Sequence, residues 1–298
     1  MKQKLFVEIA ICGAPNAGKS TFLNAMLKRK QSIVSSKIQT TRVPTLGTFE
    51  SDEILINFID SPGAFRARKG YSLEKAISKQ AWGVLAASEN IMLFVDGTRG
   101  ICQNTQYIIQ AIQKGKEEEG KKAIVVITKI DLTSTQKKLE LAKELDETGA
   151  FEDIYMISSR SGAGTENLMN YFKSIATLED VSDLSFDDAR DDKKNFMSEI
   201  TREIIFENLA KELPYSCNIV TNSIEEDDEK LVVNQDIFVT RESHKIILIG
   251  KKGNQIKEIG ALAIDELEKI YKKEVFLTLE CKIDERWREN FENEILGE

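Results

Sequence analysis

The sequence predicts a protein of two domains: an α/β domain with a mostly parallel, doubly wound sheet, followed by a smaller α+β domain. The chain has 298 residues, which is long for a single hydrophobic core. Its first part alternates apolar, strand-like runs with amphipathic segments, and that alternation is typical of a parallel sheet covered by helices on both faces. An acidic stretch then breaks the pattern, and a second series of helical and strand-like segments begins after it.

The first domain is predicted from its apolar runs and from the amphipathic segments between them. The strands are expected at 5–12, 45–51, 54–60, 91–96, 122–128 and 153–158. The helices are expected near 19–29, 71–87, 103–118, 134–147 and 164–178. Residues 45–51 and 54–60 lie too close together for a crossover helix, so these two strands should pair as an antiparallel hairpin at one edge of the sheet.

The acidic stretch covers residues 179–195. It contains seven acidic and three basic side chains with few apolar ones, which is typical of a linker or a surface segment. The predicted domains are therefore residues 1–178 and 196–298, joined by 179–195.

The second domain begins with a new helical period. A helix, two strands, a second helix and a last strand are expected at 195–212, 216–224, 230–240, 254–271 and 274–283. The stretch "HKIILIG" (244–250) is ambiguous, because its propensity favours a strand and its place beside a glycine loop favours a short helix.

Composition and charge narrow the class of protein. The net charge of −8 indicates a soluble protein, and no apolar run approaches the roughly 18 residues that would span a bilayer. The apolar run near the N-terminus predicts a buried strand and not a signal peptide. Four scattered cysteines and a single histidine argue against a zinc site and against a disulfide framework. We therefore expect a cytoplasmic protein with reduced thiols.

The segment "GAPNAGKS" (13–20) matches the pattern G-x-x-x-x-G-K-[ST], and it follows the first predicted strand and opens the first helix. Backbone N–H groups in such a loop form an anion-binding nest, and the helix adds the positive end of its dipole. Lys19 should reach the β- and γ-phosphates of a nucleotide, and Ser20 should offer its hydroxyl to Mg²⁺. The other candidate binding residues of this loop are Gly13, Ala14, Pro15, Asn16, Ala17, Gly18 and Thr21.

Two later segments indicate which nucleotide is bound. "DSPG" (60–63) would direct Asp60 toward the magnesium ion through a water molecule and the Gly63 amide toward the γ-phosphate, with Ser61 and Pro62 between them. "TKID" (128–131) ends in Asp131, whose carboxylate can accept hydrogen bonds from the ring N–H and the exocyclic amine of guanine. Adenine offers no such pair of donors, so this position selects the base.

A third segment, "SSRSG" (158–162), can present the Ser159 amide to the guanine oxygen. The remaining candidates in these two base-binding segments are Thr128, Lys129, Ile130, Ser158 and Arg160. Each segment alone is compatible with an ordinary turn at the end of a strand. In this order, each at the carboxyl end of a strand, they predict a GTP site in an α/β P-loop GTPase domain.

The polar loop "QTTR" (39–42) lies between the first helix and the second strand. A threonine there can complete the magnesium shell only when the γ-phosphate is present, which would make a switch. Thr41 is preferred over Thr40, although the spacing does not settle the choice.

A second glycine loop, "GKKG" (250–253), lies among apolar residues in the second domain. KH domains use a GxxG loop to clamp the backbone of a few nucleotides beside an apolar groove. Residues 241–257 carry five basic side chains and one acidic, although residues 181–298 carry a net charge of −11. Charges farther away than about 8 Å are mostly screened, so the local patch should set phosphate affinity. The candidate RNA-binding residues are Arg241, Lys245, Ile249, Gly250, Lys251, Lys252, Gly253 and Lys257.

These motifs together resemble a known family. "GAPNAGKST", "QTTR", "DSPG", "TKID" and "SSRSG" are similar to the G1–G5 elements of translation-factor-related GTPases. "PYS", "RESHKIILIGKKGNQIKEIG" and "ERW" are similar to a KH domain. One GTPase domain followed by one KH domain resembles the Era family of bacterial GTPases over essentially the whole chain.

The resemblance implies a GTPase that binds GTP and GDP with Mg²⁺, binds the 3′ end of 16S ribosomal RNA and assists assembly of the 30S subunit. It also implies peripheral contact with the cytoplasmic face of the inner membrane, and we expect a monomer. In this family an asparagine at the position of Asn16 can coordinate K⁺ beside the phosphates, which would place positive charge where charge develops during hydrolysis.

The chain departs from the family pattern at several positions. Thr128 stands where asparagine is usual, which should remove a side-chain amide that bridges to the P-loop. Ser61 and Ser159 replace the usual threonine and alanine, which we expect to have little effect. Ala64 and Phe65 follow the second motif, and neither side chain can orient the attacking water as a glutamine does in Ras-like enzymes.

Two other functions remain possible on the residues alone. The chain could be a signalling GTPase whose KH-like domain binds a protein or a membrane, although the intact GKKG loop and its lysines favour RNA. It could also be a P-loop kinase or ATPase, against which Asp131 argues. His244 is expected to be structural or a donor at the edge of the groove, without a catalytic role.

Overall fold

The structure is a computed structural model, and it describes residues 3–28, 44–62, 72–181, 192–209 and 216–296. The chain forms two compact units, and the division between them falls between residues 181 and 192. Each unit has its own sheet.

The first unit is built on a seven-stranded sheet. Its strands are β1 (Gln3–Gly13), β2 (Thr45–Glu50), β3 (Ile54–Asp60), β4 (Asn90–Asp96), β5 (Lys122–Thr128), β6 (Asp153–Met156) and β7 (Thr177–Asp180). The order is β2-β3-β1-β4-β5-β6, with β7 also paired to β1. The β2–β3 and β1–β7 pairs are antiparallel and the others are parallel, so the predicted hairpin and the mostly parallel sheet are confirmed.

Five helices alternate with these strands. They are α1 (Lys19–Leu27), α2 (Ser72–Ala87), α3 (Gln103–Glu119), α4 (Thr135–Asp146) and α5 (Thr165–Ile175). Side chains of β4 and β5 alternate between two separate cores: Phe94 and Val126 pack on one side of the sheet, and Leu93 and Val125 on the other. The sheet is therefore buried on both faces, which leaves the carboxyl ends of its parallel strands and their loops to form a site.

The end of this unit differs from the prediction. The helix expected over 164–178 ends at Ile175, and residues 177–180 form β7 against residues 3–6 of β1. All four residues of β7 are exposed, so they lack the apolar alternation by which a strand is recognised. The strand expected over 153–158 is also shorter, because it ends at Met156 and residues 157–162 form the loop that follows.

The second unit is an α+β domain. Its elements are α6 (Lys193–Asn208), β8 (Cys217–Glu226), β9 (Lys230–Val239), α7 (Glu242–Ile249), α8 (Asn254–Tyr271), β10 (Glu274–Ile283) and α9 (Trp287–Leu296). The sheet order is β10-β9-β8, with β8 antiparallel and β10 parallel to β9. Helices α6 and α8 pack against each other and against this sheet. The sequence did not predict α9.

A buried polar network joins α6 to the sheet. The Thr201 hydroxyl donates to Gln235 Oε1 at 2.7 Å, and Gln235 Nε2 donates to the Thr221 hydroxyl at 3.0 Å. The Ser198 and Thr221 hydroxyls are 2.8 Å apart. Each buried polar group has a partner here, so the network fixes how the helix lies on the strands without the penalty of unpaired groups.

The ambiguous stretch at 244–250 belongs to helix α7. Arg241 is the N-cap residue, and Gly250 ends the helix with φ 72° and ψ 179°. The β-branched residues of this stretch favour a strand, but the segment forms one short helix between its caps at Arg241 and Gly250. The predicted linker, residues 179–195, overlaps regular secondary structure at both ends, because β7 ends at Asp180 and α6 begins at Lys193. The domain limits stay a prediction.

Within the described parts of the chain, no helix has both the length and the apolar character needed to cross a membrane.

We expect Gly164→Ala to destabilise the first unit more than Gly149→Ala does. Both glycines have positive φ, 79° and 64°, so both substitutions carry the cost of a left-handed conformation. A Cβ at Gly164 would lie 2.0 Å from Met156 O, whereas a Cβ at Gly149 would meet nothing within 4 Å. The added clash should lower the free energy of unfolding by a further 1–3 kcal/mol or so, measured by urea denaturation. Equal losses in the two variants would contradict the packing described here.

Candidate nucleotide-binding site and nucleic-acid interface

The P-loop connects β1 to α1 through three residues with positive φ. These are Gly13 (150°), Asn16 (67°) and Gly18 (94°). A Cβ at Gly13 would lie 2.6 Å from Phe94 O of β4, so the chain can pass this point only as glycine. Such turns direct successive N–H groups into one concavity at the start of α1, which suits an anion.

Lys19 is buried in this loop. Its Nζ lies 3.2 Å from Gly13 O and 3.4 Å from Ala14 O. Burial lowers the pKa of Lys19, and the charge of Asp60 opposes that shift. The ammonium group is therefore held inside the loop beside two carbonyl oxygens, in the position from which it can meet phosphate oxygens.

The end of β3 is fixed to β1 directly below the P-loop. Asp60 is fully buried, and its register partner in β1 is Ile11. The Ser61 hydroxyl donates to Ile11 O at 2.7 Å, and the Ser61 amide donates to the same oxygen at 3.2 Å. Serine thus supplies a hydroxyl anchor here, and Pro62 follows it in a buried position.

Thr128 retains a bridge to the P-loop, contrary to the expectation from sequence. Its hydroxyl is 2.7 Å from Ala17 O and 3.3 Å from Val95 O, and the residue is 1% exposed. A hydroxyl has one hydrogen to donate, and the shorter distance assigns it to Ala17. The sequence predicted that the bridge between position 128 and the P-loop would be lost, and this was wrong. The threonine side chain is short, but its hydroxyl lies close enough to the Ala17 carbonyl to reach it.

Lys129 makes a second bridge. Its Nζ donates to Asn16 O at 3.0 Å and to Asp96 Oδ2 at 2.7 Å. Burial alone would raise the pKa of Asp96, but hydrogen bonds from Lys129 and Thr98 hold that pKa below its usual value. Asp96 therefore stays ionised and keeps Lys129 over the P-loop. The sequence motifs gave Asp96 no role, and only its place at the end of β4 could have suggested one.

Asp131 lies in a single 3₁₀ turn after β5, with its side chain exposed. A hydrogen bond with the Ser158 side chain is the main cause that lowers the pKa of Asp131, and the charge of Arg160 adds to it. The Ile130 amide donates to Ile157 O at 3.4 Å, which joins this turn to the loop containing Ser159. An ionised, solvent-facing carboxylate at this place can accept two N–H groups of a base.

The structure thus brings three of the predicted segments together: residues 13–20, 128–131 and 158–160 are linked by the hydrogen bonds described above. Thr21 is exposed on α1. Thr41 and Gly63, two of the predicted catalytic and switch residues, lie outside the described residues, as do Ala64 and Phe65.

The oxygen groups near the P-loop suit magnesium. Ser20 offers a buried hydroxyl and Asp60 a buried carboxylate, and Mg²⁺ prefers oxygen ligands. In the described ranges no group of three or more His, Cys, Asp or Glu side chains could hold a metal ion without other ligands. Such an ion would need phosphate oxygens and water to complete its shell, as is usual for magnesium at nucleotides.

The GKKG loop of the second unit has an irregular backbone. Gly250, Lys252 and Gly253 have φ of 72°, 55° and 77°. A Cβ at Gly250 would lie 2.6 Å from Gln255 Cβ, whereas a Cβ at Gly253 would meet nothing within 4 Å. Lys251 and Lys252 are exposed between these glycines, at the N-terminus of α8. The loop therefore presents two cations and the positive end of a helix dipole to solvent.

The apolar residues around this loop divide between the core and the surface. Leu248 and Ile259 are fully buried, and Ile249 and Ile256 are partly buried against the same core. Ile246 and Ile247 on α7 are 62% and 56% exposed. Helix α7 therefore presents apolar surface beside the loop, on its exposed face.

His244 is buried at the beginning of α7. Its Nδ1 lies 3.2 Å from the Thr240 hydroxyl, and its Nε2 accepts a hydrogen bond from Arg241 Nε at 2.8 Å. Burial lowers the pKa of His244, and the charges of Arg241 and Arg288 lower it further. Both ring nitrogens of His244 thus have partners within the second unit.

Two protein-family profiles match this chain. Residues 8–129 match the profile described as "50S ribosome-binding GTPase", and residues 212–288 match the profile of the KH domain.

Two curated relatives that match this chain share one name, and each match covers most of both proteins. GTPase Era of Ehrlichia canis (strain Jake) is 37% identical over 97% of this chain and 95% of its own. GTPase Era of Sinorhizobium medicae (strain WSM419) is 35% identical over 94% of this chain and 88% of its own.

Two solved structures of Era have the same fold. One is Era in complex with MgGDPNP and nucleotides 1506–1542 of 16S ribosomal RNA, with a TM-score of 0.87 and 31% identity over 99% of both chains. The other is a point variant of Aquifex aeolicus Era bound to GDP and AlF₄⁻, also with a TM-score of 0.87 and 31% identity, over 98% of this chain and 99% of that one.

We expect Thr128→Val to weaken guanine-nucleotide binding about fivefold to tenfold, because a buried hydrogen bond contributes roughly 1 kcal/mol. Valine keeps the shape of the side chain and removes its only donor, which leaves the Ala17 carbonyl without the bridge. Thr128→Ser keeps the donor and should retain most of the affinity. Titration with a fluorescent GDP analogue measures both variants. Wild-type affinity in Thr128→Val would contradict the role assigned to this hydroxyl.

Proposed function

This chain belongs to the Era family of GTPases, and on that premise we propose that it is a guanine-nucleotide switch that binds the 3′ end of 16S ribosomal RNA and assists assembly of the 30S subunit. The observation that carries the RNA part is the exposed GKKG loop, with Lys251 and Lys252 between two glycines of positive φ. The relative that was solved with this RNA supports the choice of ligand.

The nucleotide site has distinct roles for its parts. Residues 13–20 would hold the phosphates, with Lys19 directed at the β- and γ-phosphates. Asp131 would select guanine, Ser159 and Arg160 would border the base, and Thr128 and Lys129 would hold these residues against the P-loop through Ala17 and Asn16. When Mg²⁺ is bound, Ser20 would coordinate it directly and Asp60 through water, and the ion would supply positive charge at the phosphates.

Thr41 and Gly63 complete the switch in this proposal. Thr41 would bind the metal ion, and the Gly63 amide the γ-phosphate, only while GTP is present. Their state would bias RNA engagement by the C-terminal domain, residues 196–298, which the segment 179–195 joins to the nucleotide domain, residues 1–178. We propose that the protein acts in the cytoplasm as a monomer.

RNA binding would use the loop and the residues on either side of it. Gly250 and Gly253 allow close approach of a phosphate backbone, and the lysines supply charge. Arg241, Lys245, Ile249 and Lys257 extend this surface along α7 and α8. Single-stranded RNA fits the arrangement better than duplex, because KH domains read unpaired bases in an apolar groove.

The RNA assignment is tested by neutralising charge at the two ends of one helix. Lys251→Ala/Lys252→Ala should weaken binding of an RNA oligonucleotide of the 16S 3′ end. The plot of log K against log salt should become less steep by about 1.4, which is 0.7 for each phosphate that is no longer neutralised. Lys269→Ala/Lys272→Ala removes the same charge at the other end of the 18-residue helix α8, about 27 Å away, and should change neither. Equal effects in the two double variants would show that only net charge matters. RNA binding that is unchanged in both would show that the GKKG lysines do not contact the RNA, and a wild-type protein that binds no RNA would favour a protein or membrane partner for this domain.

We also propose that Asn16 coordinates K⁺ beside the phosphates during hydrolysis. Turnover in KCl should then exceed turnover in NaCl of equal ionic strength by about tenfold or more, because a cation there stabilises developing charge. Asn16→Gly accommodates the φ of 67° and removes the side chain, so it should abolish the difference between the salts. Equal rates in both salts for the wild-type protein would overturn the proposal.

A further inference from the structure

His244 and Arg241 form a fixed pair at the start of α7. His244 is only 7% exposed, while Arg241 is exposed. Arg241 Nε lies 2.8 Å from His244 Nε2, and the Thr240 hydroxyl lies 3.2 Å from the other ring nitrogen. Both nitrogens of the imidazole are therefore engaged, and the ring has a defined orientation.

The chemistry of arginine decides the protonation state of this ring. An arginine Nε carries a hydrogen and can only donate, so His244 Nε2 must be the unprotonated nitrogen that accepts. The ring hydrogen then lies on Nδ1, where it can be donated to the Thr240 hydroxyl. The pair exists only while His244 is neutral.

The same hydrogen bond leaves most of the guanidinium group available. Of the five N–H donors of an arginine, four remain on the two terminal nitrogens once Nε is taken. Among the described residues, no ion pair links Arg241 to an acidic side chain. Planar, paired N–H donors of this kind match the oxygens of a phosphate.

We propose that neutral His244 is a positioning residue that holds Arg241 as a second phosphate-binding arm of the RNA site, one helix length away from the GKKG loop. This inference rests on the proposed RNA-binding function. Helix α7 has eight residues and is about 12 Å long, so a single RNA strand lying along it would meet the loop lysines at one end and Arg241 at the other.

Protonation of His244 would undo the arrangement. The imidazolium has no acceptor for Arg241 Nε, and the new charge would face two guanidinium groups, those of Arg241 at the helix start and Arg288 on α9. Thr240 is neutral and cannot compensate. RNA affinity should therefore fall as the pH drops, although added positive charge by itself would strengthen binding to a polyanion. The direction of the pH effect separates positioning from simple charge.

A double-mutant cycle tests whether His244 acts through Arg241. At about pH 8, well above the usual pKa of histidine, Arg241→Ala should weaken binding of the 16S 3′-end oligonucleotide about tenfold, because it removes one charge-assisted hydrogen bond to phosphate. His244→Ala should weaken it by several-fold, and the double variant should be no weaker than Arg241→Ala alone. His244→Gln, whose carbonyl can accept from Arg241 Nε, should recover much of the loss. Additive effects of the two alanine substitutions would overturn the proposal.

The pH profile gives an independent measurement. His244 is the only histidine of the chain, so its ring proton resonances report its titration in the whole protein without assignment of other histidines. Because the pKa of His244 is lowered, wild-type RNA affinity should stay constant near neutral pH and fall severalfold only as the pH drops through the midpoint seen by NMR, below the usual range of histidine. His244→Gln should lack this fall. Affinity that rises on acidification in the wild type would contradict the proposal.

The outcomes distinguish failure of this inference from failure of the proposed function. If the wild-type protein does not bind the RNA at all, the proposed function is wrong. If it binds and loses affinity in Lys251→Ala/Lys252→Ala but not in Arg241→Ala or His244→Ala, the function stands and the inference about the second arm is wrong. Thermal melting of each variant checks that the second unit remains folded.

Discussion

The nucleotide site depends on two hydrogen bonds between the loop that would read the base and the loop that would hold the phosphates. The Thr128 hydroxyl reaches Ala17 O at 2.7 Å, and Lys129 Nζ reaches Asn16 O at 3.0 Å. A nucleotide can span only a limited distance between its base and its phosphates, so the two loops must keep a defined spacing to bind both ends. Parallel strands β1 and β5 bring the loops to the same edge of the sheet, and these bonds then set the separation.

The second unit shows how an acidic segment of chain can present a basic surface. Residues 181–298 carry a net charge of −11, yet the lysines of the GKKG loop stand exposed at a helix N-terminus. Two of the acids are occupied by local partners: Glu226 pairs with Lys193 and Lys273, and Asp236 with Lys282. These pairs do not change the net charge, but charges farther away than about 8 Å are mostly screened, so the loop's own charge governs what approaches it.

Most of the fold could be predicted from periodicity, and the sequence motifs indicated the candidate nucleotide-binding segments. Helix α8 and strand β10 begin and end where the sequence predicted, because strong apolar patterns and the glycine loop limit them. Strand β7 could not be predicted, since it is held by backbone pairing to β1 and buries no side chain. The Thr128 bridge and the His244–Arg241 pair could not be predicted from the sequence either. The first depends on a distance from a side chain to the backbone and the second on a distance between two side chains, and spacing along the chain reveals neither.

The two glycines of the GKKG loop differ in which residues could replace them. Position 250 excludes every side chain on steric grounds, because even a methyl group would collide with Gln255. Position 253 requires only a left-handed backbone conformation, which asparagine and aspartate also adopt. A Cβ there would lie in open space. Variation in the loop should therefore enter at its downstream glycine, and an acidic residue there would repel nucleic acid while the surrounding architecture stays intact.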